Sequence, residues 1–150
     1  WAQQRMIDEY ESIREMHGST LVLIGIGNIG SLLLKMAKGM NMHVIVVRLH
    51  PEKGRDIADE VFGFDDLQGV LRRADFVVIA VPLTDKTKHM VNRETLDCLS
   101  PLAFLINISR GPIIDQPSLI EVLQQNKIAG AALDVFEQEP LAVDSPLWTL

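Results

Sequence analysis

A single cysteine, Cys98, stands in the 150 residues, so no disulfide can close within them, and that usage suits a reducing compartment. No apolar run approaches the ~20 residues needed to cross a bilayer, and no basic segment leads into a short apolar one as in a signal peptide. Positive charge is not in excess. Against 20 Asp and Glu stand 14 Lys and Arg, a net charge of −6 that argues against nucleic acid or an anionic membrane surface as partner. No internal repeat or low-complexity tract is found. What remains is a soluble, cytoplasmic globular domain as the expectation, since 150 residues suffice for one domain with a substantial core. The first residue is Trp1 rather than Met, and Leu150 falls within what reads as an element, so an excised piece of a longer protein is expected.

The most informative stretch is Leu21-Val22-Leu23-Ile24-Gly25-Ile26-Gly27-Asn28-Ile29-Gly30, an apolar run ending in G-x-G-x-x-G and followed at once by an apolar helical stretch. Gly25 permits a tight turn, Gly27 lets the backbone approach a pyrophosphate, and Gly30 lets the helix lie close on the strand. The phosphates of a dinucleotide would then face free N–H groups at the helix N-terminus. Glycine turns also close ordinary strand–helix junctions. The strand before and the helix after are what favour dinucleotide binding here.

Along the chain, residues 1–17 read as a helix with Met6, Tyr10, Ile13 and His17 on one face, broken by Gly18-Ser19. After the strand Leu21–Ile24, the next helix, with its apolar stretch over 31–40, carries Ile29, Leu32, Leu33, Met36, Ala37 and Met40, an apolar face wide enough to be covered on most sides. Asn41 suits a left-handed helix end. Val44–Val47 is β-branched throughout, as a strand buried on both faces should be, and 48–55 is a polar loop with Pro51 and Gly54. A short strand at Glu60–Phe62 is followed by Asp65 as N-cap of a helix with Leu67, Val70, Leu71 and Ala74 on one side. Further strands are expected at 76–81, 104–108 and 128–135, with a short helix at 93–99 and another, capped by Asp115, holding Leu119, Ile120, Val122 and Leu123. This alternation predicts an α/β Rossmann fold, a doubly wound parallel sheet with helices on both faces.

In such a sheet the ligand sits beyond the carboxyl ends of the strands. After the second strand an NAD enzyme usually places an acid to take the ribose hydroxyls, but Arg48 stands here, 18 residues beyond Gly30, with no acid before Glu52. A guanidinium pairs in fork geometry with the 2′-phosphate of NADP, and His50, Lys53 and Arg55 add charge nearby. Cofactor choice therefore stays between NADP, favoured by Arg48, and NAD held by Glu52 above a solvated basic loop. Arg110, after the fifth strand, is placed to grip a carboxylate with two parallel hydrogen bonds, or simply to cap its turn. Asp134, Glu137 and Glu139 follow the last strand, either as a solvated turn or as part of the site.

Four stretches together resemble the D-isomer-specific 2-hydroxyacid dehydrogenases: Gly25–Gly30; Val81-Pro82-Leu83-Thr84 with Thr87; Ile106-Asn107-Ile108-Ser109-Arg110-Gly111-Pro112-Ile113-Ile114-Asp115; and the run from Ile128 to Leu141. The resemblance covers nearly everything from Ser19 onward, and the 29-residue spacing of Arg110 and Glu139 fits it. It implies that Arg110 holds the carboxylate and carbonyl of a small 2-keto acid. Glu139 is implied to keep a histidine protonated so that it can deliver a proton as hydride arrives, since a nearby carboxylate raises an imidazole's pKa. Asp134 is implied beside the nicotinamide, Asn28 and Ile29 on the pyrophosphate, Val81, Pro82 and Thr87 near the adenosine half, and Ile108 and Ser109 along the cleft.

Two departures matter. The family's histidine is expected beyond Leu150, because His17, His43, His50 and His89 all precede Glu139. A substrate domain is also expected outside this chain, with residues 1–18 as the remnant of an interdomain crossover helix and 19–150 as the dinucleotide-binding domain. The piece alone is then expected to bind cofactor with little turnover. Arg48, the second departure, is similar to the NADP-using glyoxylate and hydroxypyruvate reductase branch. Formate dehydrogenases share the fold but lack the acid at the Glu139 position. Corepressor-type relatives that sense the cofactor without turnover, and a Rossmann domain with no ligand, are the other readings. A homodimer is implied by the resemblance, and no metal ligand set is read.

Overall fold

The computed structural model describes residues 15–52 and 58–150. Six parallel strands form one sheet, β1 (Thr20–Ile24), β2 (His43–Val47), β3 (Glu60–Phe62), β4 (Phe76–Ile79), β5 (Phe104–Asn107) and β6 (Gly130–Leu133). Their order is β3-β2-β1-β4-β5-β6, every pair parallel. The chain therefore winds outward one way from β1, then crosses back and winds the other way from β4, which is the doubly wound Rossmann arrangement. That reversal opens a crevice between the carboxyl ends of β1 and β4. The connecting helices are α1 (Asn28–Gly39), α2 (Leu67–Leu71), α3 (Arg93–Leu96) and α4 (Gln116–Gln124).

Strand alternation divides the core in two. Val22, Ile24, Ile45, Val47, Val77, Ile79 and Leu105 point to one face, where Leu67, Val70, Leu71, Leu96, Leu119 and Val122 from α2, α3 and α4 cover them. Leu21, Leu23, Val44, Val46 and Val78 point to the other, beneath Leu34 and Ala37 of α1. On that second face Phe76 stacks on Phe104, ring centroids 5.8 Å apart.

Several sequence expectations are corrected. The apolar face of α1 is not covered on most sides: Gly30, Leu34 and Ala37 are buried, while Ile29, Leu32, Met36 and Met40 stand 37–64% exposed. The pattern mixed a sheet-facing stripe with an outward one. α1 starts at Asn28, three residues before the 31–40 stretch, because its first turn follows directly from Gly27. Asp65 is not a cap but part of a 3-10 turn, Phe64–Asp66, that leads into α2. The expected strands at 76–81, 104–108 and 128–135 pair only over 76–79, 104–107 and 130–133, their remaining residues forming the connections at the carboxyl edge or, at 128–129, leading into β6. The helix at 93–99 stops at Leu96; Asn92 starts it with a reciprocal cap in which Asn92 Oδ1 accepts from the Thr95 amide at 3.2 Å and the Thr95 hydroxyl from the Asn92 amide at 2.8 Å. Asp115 does precede α4, but its carboxylate accepts from the Ser118 hydroxyl rather than from a helix amide. Asn41 does take the left-handed conformation, φ 56°. Residues 1–14 of the expected first helix, with Lys53 and Arg55, lie outside the described residues, and His17 and Gly18 form a turn closed by the Ser19 amide on the Met16 oxygen at 3.1 Å.

The β3 edge is held by charge as well as by the packing of Val61 and Phe62. Lys38 Nζ donates to both oxygens of Asp59 at 2.7 Å, and the Val44 amide donates to Oδ2 at 2.7 Å. Glu60 accepts from Arg73 Nη1 at 3.0 Å and pairs with His43 Nε2 at 2.8 Å. The Arg73 guanidinium, then His43, hold the Glu60 carboxyl down from 4.5 to about 2. A depressed carboxyl contributes stability that is complete above its unfolded value and lost as pH falls through its folded one. Glu60→Gln is therefore expected to destabilise the chain at pH 7 by at most about 1 kcal/mol, because the pair is solvent-screened. Urea unfolding of both proteins should show that gap closing between pH 4.5 and about 2. A gap that stays constant across the range would refute the assignment.

Candidate functional site

The turn after β1 is built by three glycines with different duties. Gly25 has φ +97°, and a Cβ there would lie 2.6 Å from the Ala80 carbonyl oxygen and 2.6 Å from Val81 Cγ1. Gly30 packs beneath it, its own Cβ position 2.7 Å from the Gly25 oxygen. Gly27 differs: φ is −83° and nothing lies within 4 Å of a Cβ placed on it. The fold thus requires Gly25 and Gly30, whereas the space over Gly27 is open.

Gly27 is also the N-cap of α1, and no side chain caps that end or places an acid in its first turn. The first intrahelical bond runs from the Ser31 amide to the Gly27 oxygen at 2.9 Å. The amides of Asn28, Ile29 and Gly30 therefore have no intrahelical acceptor, and the helix dipole adds partial positive charge where they point.

Two adjoining clefts meet at this turn. One, about 470 Å³, is lined by Gly27–Gly30, Ala80–Leu83 and Ile108, Ser109 and Arg110. The other, about 300 Å³, is lined by Gly25–Gly27, Arg48, Leu49, His50, Phe64, Ala80–Pro82, Thr84, Lys86 and Thr87. They share Gly27 and Ala80–Pro82, so together they form a path across the switch point from the Ser-Arg-Gly turn to Arg48. A cleft of about 600 Å³ along β6 is larger, but its lining carries no ionisable side chain.

The polar residues around the path fall into supports and free groups. Asn107 is fully buried; its Nδ2 donates to the Arg110 oxygen at 3.1 Å and its Oδ1 accepts from the Ser109 amide at 3.0 Å. The Ser109 hydroxyl donates to the Val81 oxygen, tying this turn to the end of β4. Thr87 is buried, donating to the Pro82 oxygen at 2.7 Å and accepting from the Thr84 amide at 2.8 Å, so its hydroxyl shapes the loop under the cleft. Arg110 is exposed, and its Nη1 donates to the Ser109 oxygen at 2.7 Å. Arg48 lines the second cleft with no side-chain partner among the described residues; Glu52 does not line it and lies 3.5 Å from His50 Nδ1.

Asp134 and Glu139 line neither cleft. The Asp134 amide donates to the Asn107 oxygen at 3.0 Å, and its carboxylate is exposed. Glu139 Oε1 accepts from the Phe136 amide at 3.0 Å. Their segment is nonetheless pressed on the Arg110 turn, since a Cβ on Gly111 would lie 1.8 Å from the Phe136 oxygen. No histidine bonds Glu139: His17 meets Asn41, His43 meets Glu60, His50 meets Glu52 and His89 meets Glu137. Leu49, Phe64 and Lys86 were not anticipated as lining residues, nor was Asn107 as the pin of the turn. Asn107 alone had a signal, as the one polar residue inside an apolar run.

Residues 1–150 match the family model for "D-isomer specific 2-hydroxyacid dehydrogenase, NAD binding domain". The chain is 41% identical over 128 residues to a glyoxylate reductase of Pyrococcus furiosus, covering 84% of this chain and 37% of that protein. It is 41% identical over 140 residues to glyoxylate/hydroxypyruvate reductase B of Enterobacter sp. strain 638, covering 91% and 42%. The chain thus spans less than half the length of these relatives. Among solved structures, a D-isomer specific 2-hydroxyacid dehydrogenase of Xanthobacter autotrophicus Py2 in complex with NADPH and MES superimposes with a TM-score of 0.86 at 31% identity, covering 98% of this chain and 63% of that one. Sequence and sheet agree, and the chain belongs to the D-isomer specific 2-hydroxyacid dehydrogenases as an NAD-binding domain of that family.

Proposed function

We propose that the chain is the cofactor-binding part of an oxidoreductase that transfers hydride between NAD(P)H and a small 2-keto or 2-hydroxy acid. The observation that carries this is the continuous path across the switch point, with uncapped helix amides at Gly27 between Arg48 and Arg110. The fit to a dinucleotide is physical: the amides of Asn28, Ile29 and Gly30 suit a pyrophosphate, and the open space at Gly27 admits it. Gly25 and Gly30 hold that geometry. Val81 and Pro82 flank the adenosine half on a loop set by Thr87, while Ile108 and Ser109 line the nicotinamide half.

The hydride comes from the bound nicotinamide; the residues here bind and orient. Arg110 exchanges its single bond to the Ser109 oxygen for two parallel bonds to the substrate carboxylate. Asp134 stands by the nicotinamide end of β5 and β6. Glu139 turns from the Phe136 amide to hold an imidazolium, whose proton is delivered to the carbonyl oxygen. That histidine and a substrate-holding domain are part of the proposal as segments outside the 150 residues, supported by the chain spanning less than half the length of the two reductases. The relatives, both reductases by name, support turnover over sensing and over the formate dehydrogenase reading. NADP is the favoured cofactor, supported by Arg48 in the cleft and by NADPH in the Xanthobacter structure. A homodimer is part of the proposal, supported by the outward stripe Ile29, Leu32 and Met36 on α1, as is a cytoplasmic setting, supported by the lone buried Cys98. The net charge of −6 supports a partnership without nucleic acid, and no described helix is long and apolar enough to cross a membrane.

Two glycine variants separate fold from ligand. Gly27→Ala enters open space at an ordinary φ, so urea unfolding should shift by no more than about 0.5 kcal/mol, while calorimetric NADPH affinity drops about tenfold or more. Gly25→Ala meets Ala80 and Val81 at a left-handed φ and should cost about 1–3 kcal/mol of stability. Unchanged NADPH binding in a folded Gly27→Ala protein would contradict the pyrophosphate site. Arg48→Ala should weaken NADPH by about 10–100-fold and NADH by less than threefold, matching loss of a charge-assisted pair; tighter NADH than NADPH in the parent chain would reverse the cofactor preference. The chain alone should reduce glyoxylate or pyruvate negligibly, and a kcat within the usual range of about 1–10³ s⁻¹ would show that no outside histidine is needed.

A further inference from the structure

A cluster beside the Arg110 turn is used by none of the steps above. His89 Nε2 lies 2.7 Å from Glu137 Oε1, and one ligand atom each from His89, Asp115 and Glu137 falls within 4.8 Å of the others. The three come from separate segments: the loop before α3, the residue before α4 and the turn after β6. We propose that His89, Asp115 and Glu137 bind one divalent transition-metal ion, with zinc the best match.

The donor set carries the argument. One imidazole nitrogen and two carboxylate oxygens suit zinc and its neighbours, whereas calcium and magnesium favour oxygen alone. No Lys or Arg pairs with either carboxylate among the described residues, so His89 is the cluster's one basic partner and both carboxylates keep oxygens free for a divalent cation. Ligand atoms around one zinc ion lie roughly 3.2–3.6 Å apart, given bonds of about 2.0–2.2 Å. Separations within 4.8 Å reach that range by shifts on the order of an ångström shared between side chains, with the His89–Glu137 pair opening from 2.7 Å. The His89 side chain is 43% exposed, which leaves an entry path and a position for water.

The backbone beneath is already fixed. The His89 amide donates to the Pro112 oxygen at 2.9 Å, the Asp115 amide to the Val91 oxygen at 2.8 Å, and the Glu137 amide to Gln116 Oε1 at 3.1 Å. The Ser118 hydroxyl donates to Asp115 Oδ2, orienting that carboxylate as a second layer around the ion. An ion bound here joins the segment that carries Arg110 to the one that carries Glu139, and it does so whether or not the chain is a dehydrogenase.

The test is calorimetry of zinc chloride into the chelator-treated chain, with thermal unfolding alongside. One zinc per chain with Kd below about 100 μM is expected, with a raised unfolding midpoint and affinity falling below pH 6 as protons compete for the ligands. Glu137→Gln keeps the size and hydrogen bonding of its side chain and so keeps the fold; it and His89→Ala should each weaken zinc at least tenfold. Cobalt should bind in the same stoichiometry with a visible absorption that both variants lose. Absence of binding at 1 mM zinc, or affinity that neither variant changes, would overturn the site.

Discussion

The close crossing of Gly25 over the end of β4 is the constraint from which the rest of the site follows. A left-handed residue with the Ala80 oxygen and Val81 Cγ1 where its Cβ would be can only be glycine, and it turns the chain within one residue of the strand's end. That turn sets the start of α1 over the crevice rather than beside it. Gly30 then closes on the Gly25 oxygen, so the helix axis is fixed against β1 at its first turn. Side chains at these two positions would push α1 outward, and its free amides would no longer face the switch point. Only after those two are satisfied does the open space at Gly27 have a meaning, as room that the fold leaves unfilled.

The sheet's two faces are treated unequally. Three helices seal one face into a continuous core, while α1 is the described helix over the other. Ile106, Phe104 and Phe76 are half-buried there, and α1 itself turns Ile29, Leu32 and Met36 outward. Apolar surface of that kind on a helix that also begins at the cleft couples whatever packs against it to the free amides after Gly27. The covered face reaches the cleft through Val81, and through Phe64, which packs on that core and lines the cleft beside Arg48.

Strands and the glycine turn were legible in the sequence because their signals are local. Val44–Val47 is β-branched on both faces, and β3 was read at its observed limits from three residues. Boundaries at the carboxyl edge were overextended, because residues such as Val81 and Ile108 are as apolar as a strand yet line a cleft. The α1 face was misread since periodicity reports apolar spacing and is silent on which partner exists. Lys86 and Phe64 could not be found, since each reaches the cleft from a segment whose position depends on the whole sheet. Glu139 was singled out by motif, but a motif does not specify that its carboxylate rests on the Phe136 amide.

That last pair, with Arg110, shows how a site can be rigid and still available. Asn107, buried at the end of β5, bonds both the Ser109 amide and the Arg110 oxygen, so the turn's backbone has little freedom. The Arg110 guanidinium above it makes a single hydrogen bond, to a neutral carbonyl at the surface. A bidentate pair with a carboxylate is stronger, with hydrogen bonds to charged groups at about 1.5–3 kcal/mol each. Exchanging one for the other is therefore downhill and needs no backbone movement. The same reasoning applies to Glu139, whose single bond to a backbone amide is readily exchanged for an imidazolium. In the proposed role the resting contacts act as placeholders, holding each charged group within reach of its position until a partner of opposite charge displaces them.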